Sequence, residues 1–146
     1  MQPISEKVLT RDDLLAIQEI DAQSFDRPQP VLWKHYIDRG GVLDVVELRD
    51  VGVIGFLAFR PMPGKEVLSL DAIAVHRQFR RMGAGSVMLD NLIAKVPERL
   101  IRVRHPCTSM LNDFFSGFGF VPVGSSIDSE RRAFMHRVRN PLVVGG

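Results

Sequence analysis

Residues 67–96 read VLSLDAIAVHRQFRRMGAGSVMLDNLIAKV. The stretch opens with an apolar run ending at Val75, crosses a basic segment from His76 to Met82, passes Gly83 and Gly85, and closes in a helical pattern. In that last part Ala84, Met88, Leu89, Leu92, Ile93 and Val96 recur at steps of three and four, which places them on one face of a helix. Pro97 stops it. A strand that feeds a helix through a glycine-bearing turn leaves several backbone N–H groups unpaired at the helix start, all pointing one way, and so forms an anion site. Glycine at 83 and 85 removes the Cβ atoms that would keep a phosphate from the backbone, while Arg77, Arg80 and Arg81 add positive charge. The ligand this stretch predicts is a polyphosphate.

Working outward, the whole chain has 146 residues, 45% hydrophobic and 25% charged, the balance of one soluble domain over 1–146. No apolar run is long enough to span a membrane, and the N-terminal MQPISEKVLTRDD lacks a signal-peptide core. With Cys107 as the one cysteine no intramolecular disulfide forms, so a cytoplasmic location is expected. The net charge of +2 is too small to suggest nucleic acid by itself. The distribution says more, because Arg77, Arg80, Arg81, Arg102, Arg104 and His105 crowd the middle third and form a local basic field. No metal-ligand cluster stands out, and none is expected.

Residues 3–9 are predicted as a first strand. Thr10 with Asp12 and Asp13 predicts an N-cap and an acidic first turn for a helix reaching about Ser24, with Leu14, Leu15, Ile17 and Ile20 inward. Asp26-Arg27-Pro28-Gln29-Pro30 is a break, and a second helix covers Val31 to Arg39, ended by Gly40-Gly41. Strands at Val42–Leu48 and Val53–Phe59 flank a hairpin connection at 49–52, and residues 61–64 turn into the strand that ends at Val75. Beyond the helix, Arg99–Arg104 is a strand that must pair parallel with a neighbour, since it follows a crossover. Thr108–Ser116 is helical, Phe118–Val123 and Arg132–Val138 are strands, and residues 141–146 fray.

The polyphosphate can be narrowed by exclusion. Gly85 is followed by Ser86-Val87 and not by the Lys-Ser/Thr pair of a P-loop, and the G-x-G-x-x-G dinucleotide fingerprint is absent. What stands there is Arg80-Arg81-Met82-Gly83-Ala84-Gly85 directly after Ile73-Ala74-Val75. This resembles the coenzyme A loop of the GNAT family of N-acetyltransferases. A second segment, Asn112-Asp113-Phe114-Phe115-Ser116-Gly117-Phe118-Gly119-Phe120, is similar to the family's late motif, an aromatic pair followed by Gly-Phe. The plain alternative is a β-turn-α junction on a basic surface.

The resemblance implies an α/β GNAT fold, a mixed twisted sheet of about seven strands flanked by about four helices. In length and strand order the chain is most similar to the ribosomal-protein N-terminal acetyltransferases. It implies that acetyl-CoA binds at Arg80, Arg81, Met82, Gly83, Ala84, Gly85 and Ser86, with Ile73 and Val75 as backbone contacts and the Val75 N–H as oxyanion donor. It carries Thr108 and Phe115 over as cofactor-binding positions, and it puts Phe25, Trp33, His35 and Tyr36 on the acceptor side, where core packing is the competing reading. The expected partner is an amine acceptor, a small molecule or a protein, with no nucleic acid and no membrane; the chain acts as a monomer or homodimer.

The sequence also departs from the family. The second member of the aromatic pair is often Tyr, whose hydroxyl protonates the departing sulfur, and here it is Phe115. The Arg99–Arg104 strand holds no carboxylate, where the resembled branch places its base, and Thr108 stands where the family has Asn. Asp71 on the central strand is the candidate base acting through water, and His76 the candidate for proton transfer. Ser116 and Cys107 are further candidates for the sulfur. The resulting reading is direct acetyl transfer from acetyl-CoA to an amine. Its rivals are a non-catalytic acyl-CoA-binding sensor and a nucleic-acid-binding protein using the basic patch.

Overall fold

Thr10 and Asp13 start the first helix by mutual hydrogen bonds. The Asp13 N–H donates to Thr10 Oγ1 at 3.2 Å and the Thr10 N–H to Asp13 Oδ2 at 2.9 Å, a capping box closed by Asp. In the computed structural model, which describes residues 1–24, 30–64 and 66–144, this helix, α1, spans Arg11–Ser24. Its buried residues are Asp13, Ile17, Ile20 and Asp21. Leu15, expected inward, is instead exposed: it lies two positions after Asp13, which rotates it nearly to the opposite side of the helix. Asp13 can turn inward because Lys7 meets it at 3.0 Å. Burial pushes the Asp13 carboxyl up, but the Thr10 N–H and Lys7 outweigh it and hold the group below its usual range.

The first strand, β1 (Gln2–Ile4), is shorter than the predicted 3–9. Glu6 takes a left-handed turn at φ 49° and its N–H donates to Asp44 Oδ1 at 3.0 Å, which carries the chain off the sheet. Then come α2 (Pro30–Asp38), β2 (Val42–Leu48), β3 (Gly52–Pro61) and β4 (Val67–Val75). A single 3-10 turn at Arg77–Phe79 leads to α3 (Ala84–Lys95). The chain closes with β5 (Leu100–Pro106), α4 (Ser109–Gly117), β6 (Val121–Ile127), β7 (Ala133–Arg139) and the short α5 (Pro141–Val144). The seven strands order as β1-β2-β3-β4-β5-β7-β6. As predicted, β5 pairs parallel with β4, Val67 to Leu70 facing Leu100 to Val103, while β2 with β3 and β5 with β7 are antiparallel. Phe25 and residues 26–29 of the expected break lie outside the described residues, while its last residue, Pro30, is the first of α2, a position where a missing N–H costs nothing.

The chain gathers into two compact units, Met1–Arg60 with Ala72–Val96, and Pro61–Asp71 with the chain from Pro97 onward. In the first, Ile17 and Ile20 of α1 pack with Leu43, Val45, Phe56, Ala58 and Ala74 of the strands, and Trp33 and Tyr36 of α2 border this core. Ala84, Met88, Leu89 and Leu92 form the buried stripe of α3, and full burial of each large side chain is worth about 1.5–3 kcal/mol. Gly55 lets α3 come close to β3, since a Cβ there would lie 3.1 Å from the Met88 methyl.

In the second unit, β5 alternates inward Ile101, Val103 and His105 with outward Arg102, Arg104 and Pro106. His105, grouped by sequence with the arginines of the basic field, is 3% exposed and stacks on Phe115 with ring centroids 4.9 Å apart. Burial, and then the Arg137 cation, pull its pKa below the usual histidine value, so it is an uncharged core residue. Helix α4 ends in a Schellman motif. Gly119 sits at φ 86°, the Gly119 N–H donates to Ser116 O at 3.0 Å and the Phe120 N–H to Phe115 O at 3.1 Å. That motif consumes residues 118–120, so β6 begins at Val121 and not at the predicted Phe118.

Candidate functional site

The segment joining β4 to α3 is built to present backbone donors. Arg80 is extended, at φ −68° and ψ 159°, Arg81 turns left-handed at φ 67°, and Gly83 repeats that turn at φ 82°. An L-residue held left-handed costs about 1–2 kcal/mol, so Arg81 marks a turn that its surroundings enforce. Gly83 is the N-cap of α3, with no side chain to accept from the first-turn N–H groups; the first helical bond runs from the Val87 N–H to Gly83 O at 2.9 Å. A Cβ on Gly83 would meet nothing within 4 Å, so the space above its backbone is open. Ala84 is 2% exposed and turns its methyl into the core, which leaves its backbone as the part able to serve a ligand. Arg81, Met82 and Gly83 are exposed, and Gly85 and Ser86 half-buried.

A helix N-terminus with no side-chain cap, beside exposed guanidinium groups, is suited to an anion such as a phosphate. Val75, at the end of β4, lies just before this cradle. The His76 N–H donates to Ile54 O on β3 at 2.8 Å. Because consecutive residues of a strand aim their polar groups at opposite edges, the N–H and C=O of Val75 face the edge away from β3.

The loop is fastened to the last turns of α1, something the sequence did not reveal. His76 caps the 3-10 turn, its Nδ1 accepting from the Gln78 N–H at 3.2 Å, and its Nε2 lies 3.2 Å from Glu19 Oε1. Both ring nitrogens of this proton-transfer candidate are thus engaged within the protein. Gln23 Oε1 accepts from the Arg77 N–H at 3.0 Å. Arg80 donates from Nε to the Val75 carbonyl at 3.0 Å and from a terminal nitrogen to Ser24 Oγ at 3.3 Å.

The remaining candidates are placed as follows. Ile73 is half-buried on β4, and Asp71 is exposed and accepts from Ser69 Oγ at 2.7 Å. In the second unit, Thr108 is the N-cap of α4, its Oγ1 accepting from the Leu111 N–H at 3.3 Å. Phe115 is 1% exposed. Ser116 Oγ accepts from Arg137, and Cys107 is an exposed free thiol. Arg137 was not singled out by sequence. It is buried and donates to His105 Nε2 at 3.1 Å, Ser116 Oγ at 3.1 Å and Phe120 O at 3.2 Å, tying β7 to β5 and to α4. Of the acceptor-side candidates, Trp33 and Tyr36 lie edge to face at 5.5 Å against the first core, and His35 is exposed. Among the described residues no helix is long and apolar enough to cross a membrane.

Solved structures share this architecture. The ribosomal-protein-S18-alanine N-acetyltransferase of Escherichia coli is similar with a TM-score of 0.78 at 14% identity, over 94% of this chain and 93% of that one. The aminoglycoside 6′-N-acetyltransferase of Enterococcus faecium matches with a TM-score of 0.79 at 11% identity, over 95% and 96%. A spermidine N-acetyltransferase chimera from Vibrio cholerae matches with a TM-score of 0.76 at 14% identity, over 97% of each chain. No curated protein sequence matches significantly. These likenesses are of fold. The sequence carries the rest, because the model of the acetyltransferase (GNAT) family matches residues 11–120, from the first turn of α1 through the glycine loop to the Phe120 that closes α4, and the chain therefore belongs to that family.

Proposed function

We propose that this chain transfers an acetyl group directly from acetyl-CoA to an amine, holding the cofactor's phosphates against the loop made by Arg80, Arg81, Met82, Gly83, Ala84, Gly85 and Ser86, chiefly through its backbone N–H groups. The observation that carries the reading is the pair of left-handed turns at Arg81 and Gly83, which deliver the uncapped N-terminus of α3 into open space. Acetyl-CoA supplies the activated acyl group as a thioester. The chain's own part is to bind and orient: the backbone of Ile73 and Val75 lines the acyl arm, and the Val75 N–H donates to the developing oxyanion. Asp71 serves as base toward the amine through water, and Thr108 and Phe115 contribute through α4, which they start and anchor. The similar solved structures support an amine acceptor, since they are named as N-acetyltransferases of a ribosomal-protein alanine, of aminoglycosides and of spermidine.

Two features favour a second reading, a non-catalytic acyl-CoA sensor. Phe115 has no proton to give, and both nitrogens of His76 are engaged. A missing general acid costs about 10²–10⁴-fold in rate, so its loss slows an enzyme without silencing it. The test is calorimetric titration of acetyl-CoA into the wild type and into Gly83→Val, followed by turnover with a panel of amines. Binding lost in Gly83→Val, with acetylated product from at least one amine, is expected. A folded wild type that does not bind acetyl-CoA overturns both readings, and binding without any product favours the sensor.

A further inference from the structure

Arg80 opens the glycine loop and, being basic, reads at first sight as a phosphate ligand. Its side chain is otherwise occupied. Nε donates to the Val75 carbonyl at 3.0 Å, and a terminal nitrogen donates to Ser24 Oγ at 3.3 Å. Ser24 is itself aimed, because its hydroxyl proton goes to Ile20 O at 2.7 Å and leaves the oxygen's lone pairs for the guanidinium. The same two turns of α1 hold the segment just before Arg80 through Gln23 and Glu19. The residue immediately after Arg80 is the one held left-handed.

We propose that Arg80 is a positioning residue, a bridge between the end of β4 and the end of α1 that presets the Arg81–Gly83 turns before any ligand arrives. This rests on the acetyl-CoA reading for its consequence and on the hydrogen bonds of Arg80 and Ser24 for its content. The bridge needs two donors in a fixed fork, one for Val75 O and one for Ser24 Oγ, and a guanidinium supplies both. An ammonium keeps the charge but loses the fork. The bridge also explains how a non-glycine residue is kept at φ 67°: extended Arg80 is pinned at its side chain, and the helix start at Gly83 is fixed by the buried stripe of α3. Because Val75 O and Val75 N–H face the same strand edge, the bridge also fixes the orientation of the proposed oxyanion donor.

Two measurements on the full chain test it. The first is hydrogen exchange on the cofactor-free protein. Arg80→Lys is expected to speed exchange of the amides at 81–86 at least tenfold relative to wild type, with Ser24→Ala moving the same amides in the same direction and less. The second is acetyl-CoA affinity. Arg80→Lys is expected to bind roughly tenfold more weakly although its charge is kept, and adding Ser24→Ala to Arg80→Lys is expected to cost nothing further, the mark of two residues sharing one contact. Unchanged exchange at 81–86 in both variants overturns the proposal. So does wild-type affinity in Arg80→Lys, which is what a simple phosphate ligand would give. Should Arg80→Lys fail to fold, the exchange result for Ser24→Ala decides alone. A wild type that does not bind acetyl-CoA defeats the cofactor reading and leaves the exchange result standing on its own.

Discussion

Gly83 and Gly119 have nearly the same backbone twist, φ 82° and φ 86°, at opposite ends of two helices. At Gly119 the twist completes a Schellman motif, so the last carbonyls of α4 are answered by the N–H groups of Phe118, Gly119 and Phe120. The ring of Phe120 then lies against Phe115 at 5.4 Å, the apolar contact that accompanies such a terminus. At Gly83 the twist starts α3 without a cap and leaves its first donors unanswered by any N-cap side chain. One glycine closes a helix and the other opens one. The difference lies in which end of the helix the turn meets and whether a side chain is there to satisfy it, so a positive φ alone does not identify a binding site.

The comparison makes the closed end structural, and the largest effect is expected there. Phe115→Ala removes a buried ring from between His105 and Phe120, and about 3–5 kcal/mol of folding stability should go with it, read by urea unfolding. The open end should behave the other way. Gly83→Val meets no neighbour but holds a β-branched residue at φ 82°, so it is expected to lose at least the roughly 1–2 kcal/mol of a left-handed L-residue, still less than Phe115→Ala, and to lose the thermal shift given by acetyl-CoA. At one hundred times the dissociation constant that shift corresponds to about 2.7 kcal/mol in the wild type. A Phe115→Ala protein as stable as wild type, or a Gly83→Val protein that still binds, would erase the distinction.

A milder substitution sharpens it. Gly119→Ala forces an L-residue into the left-handed turn and is expected to cost about 1–2 kcal/mol, measured by urea unfolding, with acetyl-CoA affinity per folded molecule unchanged. Gly83→Ala pays the same backbone strain and is expected to bind less well. Equal affinity losses in the two would mean that the glycine loop matters only through overall stability.

Much of this contrast was legible in the sequence because it is local. The step from apolar strand to basic segment to glycines to a 3-4 stripe encodes β4, the loop and α3 with boundaries that hold, and Pro97 stops the helix one residue after its C-cap, Val96. The Gly-Phe of the late motif was visible too, but as a family likeness; its physical reason, a left-handed C-terminus closed by Phe120, needed coordinates. What could not be read is what joins distant parts of the chain. Ser24 and Arg80, His76 and Glu19, Arg137 and His105 are separated by tens of residues, and no periodicity ties them together. Leu15 was misread because apolar spacing alone cannot tell that the ion-paired Asp13 has taken the inward place. His105 was misread because a basic run in sequence becomes, on a strand, two opposite faces.

His105 gives the smallest and most specific prediction. Its ring lies between Phe115 and Arg137, with Nδ1 2.8 Å from Pro106 O and Nε2 accepting from Arg137 Nε at 3.1 Å. Accepting at Nε2 requires the neutral ring, with its proton on Nδ1 toward the carbonyl. Burial first, and the neighbouring guanidinium after it, lower the folded-state pKa below the ordinary 6.5, against the opposing pull of the Pro106 carbonyl. Below pH 6.5 the unfolded chain therefore takes up a proton that the folded chain refuses, so ν is larger in the unfolded state and stability falls as pH falls. The contribution is complete above 6.5 and is lost as the pH approaches the depressed folded value, with a slope of at most about 1.4 kcal/mol per pH unit for one proton. Urea midpoints between pH 7 and pH 5 should drop more steeply for the wild type than for His105→Gln, whose amide can still accept from Arg137 but does not titrate. Parallel slopes would mean that the His105–Arg137 contact opens at no cost, and the closed end of the molecule would then be less closed than Gly119 and Phe120 make it.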